Sequence, residues 1–215
     1  MAQVSPHGRH GLAGIRWIME DMRRRGCQRT ATRPRRGMLM MAILGVAACG
    51  SLPELGRPDL DTVAGRMPEE IAGFVRGDVV QRPGNTLSVD YATANRSAVG
   101  TVLVYETGGR PAPSDPASAE IDRAVTTAVS EVTEVPHGRT GRRLTERERV
   151  TIADPGLRCA LLDGYFGRAP VRRHICVGGA GGRFVKIQVT TSATRGPGPD
   201  AVAFASGALR AVRGM

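Results

Sequence analysis

The chain has 215 residues and a formal net charge of +10 at pH 7, a value that by itself points to a nucleic-acid partner. The charge is unevenly distributed: residues 1–48 carry nine arginines and two acids, whereas residues 49–215 carry 21 basic and 18 acidic residues. A charge of +3 over the longer part is ordinary for a solubilised domain, so we expect no nucleic-acid partner.

An apolar segment follows a cluster of arginines near the N-terminus. Three arginines between positions 33 and 36 precede the uncharged, mostly apolar run 38–48, a pattern typical of secretory signal peptides. The run is shorter than the roughly 20 apolar residues that span a bilayer. The four residues Val46-Ala47-Ala48-Cys49 resemble the lipobox of bacterial lipoproteins. The alternative is a buried apolar helix that happens to contain a cysteine.

The lipobox resemblance implies cleavage before Cys49 and attachment of diacylglycerol to its sulfur, with a third acyl chain on the new amino group in many Gram-negative species. The mature protein would then be held on a lipid bilayer through acylated Cys49 and would face the periplasm. Gly50, in the position where an aspartate retains enteric lipoproteins in the inner membrane, favours the outer membrane. Met22, which three arginines follow, is an alternative start that gives a leader of ordinary length.

Three segments follow from this interpretation. Residues 1–48 are a leader with a signal peptide, residues 49–66 are a lipidated cysteine with a flexible tether rich in proline and glycine, and residues 67–215 are a single periplasmic domain. At the start of the domain, the spacing of apolar residues predicts a short helix over 68–74.

The remaining pattern predicts the element order ββαββββα. Alternating or continuous apolar runs indicate strands, and the run of Ile121, Val125 and Val129 at helical spacing indicates a helix that starts at Asp115-Pro116. The predicted strands cover 87–91, 97–106, 147–154, 157–166, 171–177 and 183–191, and a closing helix covers 200–212. Short connections favour antiparallel pairing. The predicted fold is therefore α+β, a largely antiparallel sheet of about six strands with two helices packed on one face.

Two cysteines of the domain are symmetric about one predicted turn. Cys159 and Cys176 flank Gly167-Arg168 at equal distances, which places them opposite each other across a hairpin. In an exported chain this favours a disulfide; a reduced buried pair, a metal site and a reactive thiol are the alternatives. His174 lies two residues from Cys176 on the same face, and we interpret it as an edge or surface histidine rather than a catalytic partner. We expect no metal and no cofactor.

A basic loop is the candidate contact with an anionic surface. His137, Arg139, Arg142 and Arg143 lie within seven positions and could contact anionic lipid or a sugar phosphate. The alternative is a solvated loop whose charge Glu146 partly balances.

Two hypotheses for the function remain open. The first is a binding or envelope-associated module that offers a surface to another envelope protein, a lipid or a glycan. The second is an envelope hydrolase or other enzyme with a site built from scattered residues such as His137, Arg143 and Glu146. The sequence contains neither Gly-x-Ser-x-Gly nor His-Glu-x-x-His, which favours the binding module.

Overall fold

The computed structural model describes residues 57–134, 141–194 and 198–215. Within them, eight antiparallel strands form one curled sheet, and three helices pack against it. The strands are β1 (Glu70–Ile71), β2 (Phe74–Arg82), β3 (Thr86–Thr93), β4 (Ala98–Tyr105), β5 (Arg142–Ile152), β6 (Leu157–Phe166), β7 (Ala169–Ala180) and β8 (Arg183–Ser192). The helices are α1 (Leu60–Arg66), α2 (Ala119–Thr133) and α3 (Ala201–Arg213).

Several sequence predictions lie outside the described residues. These are the leader 1–48, the lipidation site Cys49, the first part of the predicted tether, and His137 and Arg139 of the basic loop. They remain predictions. None of the three helices in the described ranges has the length and apolarity that crossing a membrane would require.

The sheet consists of two four-stranded meanders joined at one strand pair. The strand order is β1-β2-β3-β4-β8-β7-β6-β5, and each neighbouring pair is antiparallel. β4 and β8 form the junction, with Leu103 directly opposite Lys186. The chain crosses from the first meander to the second through α2, which lies between β4 and β5 in sequence.

The predicted fold class is wrong in strand number, helix number and helix placement. The structure is mostly β, with eight strands instead of about six and three helices instead of two. The segment 68–74, predicted as a helix, contains β1 and a turn in which Ala72 and Gly73 have φ of 51° and 82°. This left-handed turn ends any helix and returns the chain into β2. β2 was not predicted, because most of its side chains are exposed and its sequence does not alternate between apolar and polar residues.

One face of the sheet is covered by α1 and α3. Asp200 caps α3 by accepting hydrogen bonds from the amides of Val202 and Ala203, both at 2.9 Å, and Asp59 caps α1 in the same way. Phe204 of α3 packs in the centre of this core, with its ring centroid 4.5 Å from that of Phe74. The helix α1 begins at Leu60, so packed structure reaches into the segment 49–66 that the sequence assigned to a tether.

The opposite face is covered by α2 alone. Ser118 rather than Asp115 caps this helix, because its hydroxyl accepts a hydrogen bond from the amide of Ile121 at 3.3 Å. Ile121, Val125 and Val129 face the sheet. They form a second core with side chains of β5, β6 and β7, among which Leu162 and Ile175 are fully buried. The prediction that the helices share one face therefore fails, because the apolar stripe of α2 packs on the other side.

The disulfide prediction is confirmed. Cys159 of β6 and Cys176 of β7 are directly opposite each other in the register, with Cα atoms 4.0 Å apart, and their sulfurs are bonded. Both side chains are buried in the core under α1 and α3. By the chain-entropy argument, a bridge that closes a loop of this size stabilises the fold by about 3 kcal/mol.

Candidate binding site

α2 covers only part of the sheet face on which it packs, and it leaves the strands of the first meander and β8 partly uncovered. Along β4, side chains that point toward α1 and α3 are buried, whereas Thr101, Leu103 and Tyr105, which point to the α2 side, are only half-buried. The same alternation continues in β8 at Lys186 and Gln188. We call this partly uncovered region, on β2, β3, β4 and β8, the open half of the α2 face.

A groove runs between α2 and the open half. Its cavity volume is about 670 Å³, within the usual range for small-molecule sites. The apolar lining comes from both sides, from the helix and from the strands, and consists of Leu103, Tyr105, Ala124, Ala128 and Phe184. Polar residues at its margins include Arg110, Glu120 and Arg123. We call this cavity the α2 groove.

Two aromatic rings form the floor at one end of the α2 groove. Tyr105 of β4 and Phe184 of β8 are cross-strand neighbours, and their ring centroids are 5.7 Å apart in a stacked arrangement. Burial, reinforced by the negative charge of Glu131, raises the pKa of Tyr105 to about 12. The phenol is therefore neutral at physiological pH and offers a hydroxyl group together with an aromatic face.

The only lysine of the chain lies in the middle of this region. Lys186 is mostly buried and its Nζ donates to Glu131 Oε2 of α2 at 2.7 Å. The same ammonium lies 5.9 Å from the centroid of the Tyr105 ring, within reach of a cation–π interaction. The pair connects the helix to β8 across the floor of the groove.

A second cavity adjoins the α2 groove and shares Leu103, Glu131 and Lys186 with it. Its volume is about 380 Å³. Four cationic side chains line it, together with the hydroxyl and amide groups of three further residues. The cations are Arg82, Arg142, Arg173 and Lys186, and the other polar groups belong to Ser88, Thr101 and Gln188. We call this cavity the arginine pocket.

Glu131 is the one carboxylate among the side chains that line the arginine pocket in the described structure, and it is paired with Lys186. Four cations against one acid give the lining a formal charge of +3. Nearby, Asp90 accepts a hydrogen bond from the Thr101 hydroxyl at 2.9 Å from an exposed position. The pocket is consequently a concentration of positive charge on this face of the sheet.

Arg173 has the most unusual environment of the four cations. Burial, together with the positive charge of Arg142, lowers the pKa of Arg173 to about 10, although the guanidinium stays charged at pH 7. Its Nη2 donates to Gln188 Oε1 at 2.5 Å. Its Nε is buried and has no hydrogen-bond partner in the part of the chain that the structure describes. A buried cation beside a second cation is costly unless an anion compensates it.

The structure separates the two described members of the predicted basic loop. Arg142 begins β5, lines the arginine pocket and lies over the Phe166 ring, 4.8 Å from its centroid. Arg143, the next residue, is exposed on the opposite face because successive side chains of a strand alternate. These two residues therefore do not form one contact surface.

The scattered enzyme site is likewise not assembled by its described members. Glu146 lies on the α2 face, opposite Leu162, and its Oε1 accepts a hydrogen bond from Arg149 Nε at 2.5 Å. Arg143 points to the other face. Among residues 57–134, 141–194 and 198–215, no group of three histidine, cysteine or acidic side chains is arranged to hold a metal ion. His174 lies in β7, between β6 and β8, so its interpretation as an edge residue is wrong.

Sequence reasoning missed Arg173, Lys186 and Tyr105 as site residues. A signal was present, since Arg173 and Lys186 are charged residues inside segments that the sequence predicted as strands. A charge at such a position needs a partner or a function. Which strands adjoin each other across the junction of β4 and β8 was not predicted, and this pairing brings the three residues together.

No protein-family model matches the chain, and no curated protein is significantly similar to it. We therefore infer the function from the geometry described above and from the lipobox resemblance.

Proposed function

We propose that the chain is a lipid-anchored protein of the cell envelope whose domain binds a small amphipathic, lipid-like ligand in the α2 groove. In this proposal, acylated Cys49 holds the protein on the bilayer, facing the periplasm, and the outer membrane is favoured by Gly50. The domain acts as a binding module and presents the groove close to the membrane surface.

The observation that carries the binding proposal is the incomplete cover of one sheet face. The α2 groove is lined by aromatic and aliphatic side chains from both the helix and the sheet, and it continues into a cationic pocket. Exposed apolar surface next to fixed charge is the chemistry that accommodates an amphiphile. The open half also exposes Val75 and Val99, at 48% and 51%, so apolar surface extends beyond the groove.

Binding of an apolar probe tests the proposal. We would use the full chain with Cys49→Ala and titrate it with N-phenyl-1-naphthylamine, an uncharged fluorophore whose emission rises in apolar surroundings. We expect saturable binding that dihexanoylglycerol displaces. Ala124→Trp fills the groove from α2 and should weaken probe binding by about tenfold or more, because the side chain occupies the volume that the ligand needs.

Ala119→Trp is the matched control. Ala119 is exposed on the same helix and does not line the groove, so this substitution should leave probe binding unchanged. Circular dichroism and thermal unfolding establish that both variants fold. Failure of the parent protein to bind the probe, or equal binding by both tryptophan variants, would contradict the proposal.

The anchor requires its own measurement. The intact mass of the protein extracted from membranes should match residues 49–215 plus acyl chains, and Cys49→Ala should release the protein from the membrane fraction. A species that retains residues 1–48 without acyl chains would show that the lipobox resemblance is misleading.

A further inference from the structure

More cationic than acidic side chains line the arginine pocket among the described residues. Arg82, Arg142, Arg173 and Lys186 line it, and Glu131 is the acid among the described lining residues. Glu131 already pairs with Lys186 at 2.7 Å. Arg173 forms no salt bridge with a described carboxylate, and its one side-chain hydrogen bond goes to the neutral amide of Gln188.

Arg173 is also a cation whose side chain is partly buried in the fold. It projects from β7, the strand between β6 and β8, and its buried Nε has no described partner. A side chain that only solubilised the surface would extend into water and leave no buried donor. A partly buried guanidinium beside a second guanidinium is instead an arrangement that can receive an oxyanion, because its planar fork matches two oxygens of the anion.

We infer that the arginine pocket binds an oxyanion of the phosphate class, held chiefly by Arg173 with Arg142 and Lys186. This inference rests on the proposed function and extends it: the oxyanion is the polar head of the amphiphile whose apolar part occupies the α2 groove. Lys186 and Leu103 line both cavities, so one ligand can fill both. A lining charge of +3 suits a phosphate, with one or two negative charges, better than a single carboxylate.

Neutral donors complete the pocket. Ser88 is buried, and its backbone lies directly opposite Leu103 in β4. Thr101 lies directly opposite Gln188 in β8. The Ser88 hydroxyl and the Gln188 amide nitrogen can donate to the phosphate oxygens that the guanidinium groups leave free, whereas the Thr101 hydroxyl already donates to Asp90.

Two variants of adjacent arginines test the inference. Arg173→Met removes the buried guanidinium and keeps much of its length, whereas Arg172→Met removes an exposed arginine on the opposite face of the same strand, 3.5 Å from Asp163. We would follow thermal unfolding of the full chain carrying Cys49→Ala in potassium phosphate and in potassium chloride at equal ionic strength. Phosphate should raise the unfolding temperature of the parent and of Arg172→Met above the value in chloride, but not that of Arg173→Met.

Unfolding in potassium chloride, without phosphate, distinguishes a ligand-binding role of Arg173 from a structural role. If Arg173 serves the ligand, Arg173→Met unfolds at the same temperature as the parent or higher in chloride, because two neighbouring cations are no longer buried together. An Arg173→Met variant that unfolds at a lower temperature in chloride and keeps the phosphate response would overturn the inference. So would a parent protein that responds equally to phosphate and chloride.

Short-chain lipids identify the source of the phosphate. Dihexanoyl phosphatidic acid should bind about tenfold or more tighter than either inorganic phosphate or dihexanoylglycerol, and Arg173→Met should remove that advantage. Equal affinity for phosphatidic acid and inorganic phosphate would mean that the arginine pocket binds free phosphate. It would overturn the inference that the phosphate is the head group of a ligand in the α2 groove. Retained affinity of Arg173→Met for phosphatidic acid, with probe binding still sensitive to Ala124→Trp, would refute the inference alone. Arg173-dependent phosphate binding without probe binding would refute the proposed function alone.

Discussion

The two halves of the α2 face differ in what covers them. Under α2, β7 is buried on both faces from Ile175 to Ala180. In β4, the side chains on the α2 face are half-buried or exposed, and only those on the other face are fully buried. A helix about 10 Å wide covers roughly two or three strands that are spaced about 4.8 Å apart. One helix therefore cannot cover eight strands.

This difference supports the proposed binding site on the open half. The covered half, formed by β5, β6 and β7 under α2, packs its apolar side chains against the helix. The open half places Lys186 and two aromatic rings where a covering element would otherwise pack, and Arg142 of β5 and Arg173 of β7 adjoin it. A ligand that fills the α2 groove and the arginine pocket would complete the second core of the protein.

The largest expected difference between the halves comes from truncating one apolar side chain in each. Ile175→Ala in the covered half should cost about 2–5 kcal/mol of unfolding free energy, because the fully buried side chain leaves a cavity. Leu103→Ala in the open half should cost about 1 kcal/mol or less, because Leu103 is already partly in water. Urea denaturation of both variants measures the contrast, and equal costs would mean that the open half is packed as firmly as the covered half.

Removing the disulfide, which joins β6 and β7 on the face under α1 and α3, should destabilise the fold by a comparable amount. The double variant Cys159→Ser, Cys176→Ser should lose about 3 kcal/mol, because the unfolded chain is no longer restricted by a bridge over 17 residues. Denaturation with and without reductant provides the control: reductant should destabilise the parent and leave the double variant unchanged. A parent protein insensitive to reductant would show that the bridge contributes little.

The ion pair between Lys186 of β8 and Glu131 of α2 should contribute less to the unfolding free energy than the disulfide. Lys186 is mostly buried but Glu131 is half-exposed, at 51%, and pairs with one exposed partner couple by about 0.2–1 kcal/mol. A double-mutant cycle with Glu131→Gln and Lys186→Met measures this coupling. A coupling of several kcal/mol would assign the pair a main role in holding α2 in place, rather than a role at the groove.

The smallest effect should be visible only as a pH dependence. Burial, and after it the charge of Arg172, lowers the pKa of His174, while Asp200 and Asp163 act weakly in the opposite direction. Below pH 6.5, the ordinary pKa of histidine, the unfolded chain takes up a proton that the folded chain resists, so stability present above pH 6.5 is lost as the pH falls. His174→Gln should flatten the stability profile between pH 7 and 5; an unchanged profile would show that His174 titrates normally.

The sequence predicted much of the second meander and less of the first. The strand 157–166 was predicted from its apolar run, and the cysteine pair was predicted from its symmetry about a glycine turn. Both signals come from residues that are close together in the sequence. β2 could not be predicted, because a strand whose side chains are mostly exposed has no apolar alternation. The helix predicted over 68–74 failed because the positive φ of Ala72 has no signature in residue type.

The candidate site was beyond sequence reasoning for a different reason. Arg142 was recognised as a basic residue in a loop, but its neighbours Arg173 and Lys186 come from strands 31 and 44 positions later. Only the order of strands in the sheet brings the three together. The open half itself follows from the width of a helix relative to the sheet, and that relation depends on tertiary structure rather than on local pattern.

The most direct test of the account is the reactivity of Lys186, which lines both cavities and is the only lysine of the chain. The full chain would be treated with acetic anhydride at increasing concentrations of dihexanoyl phosphatidic acid, and acetylation of the Lys186 peptide would be followed by mass spectrometry. The account predicts that acetylation slows by about tenfold at saturation, and that Arg173→Met abolishes this protection at the same lipid concentration. Acetylation of Lys186 at an unchanged rate, at concentrations where the lipid is bound, would place the ligand elsewhere and contradict the account.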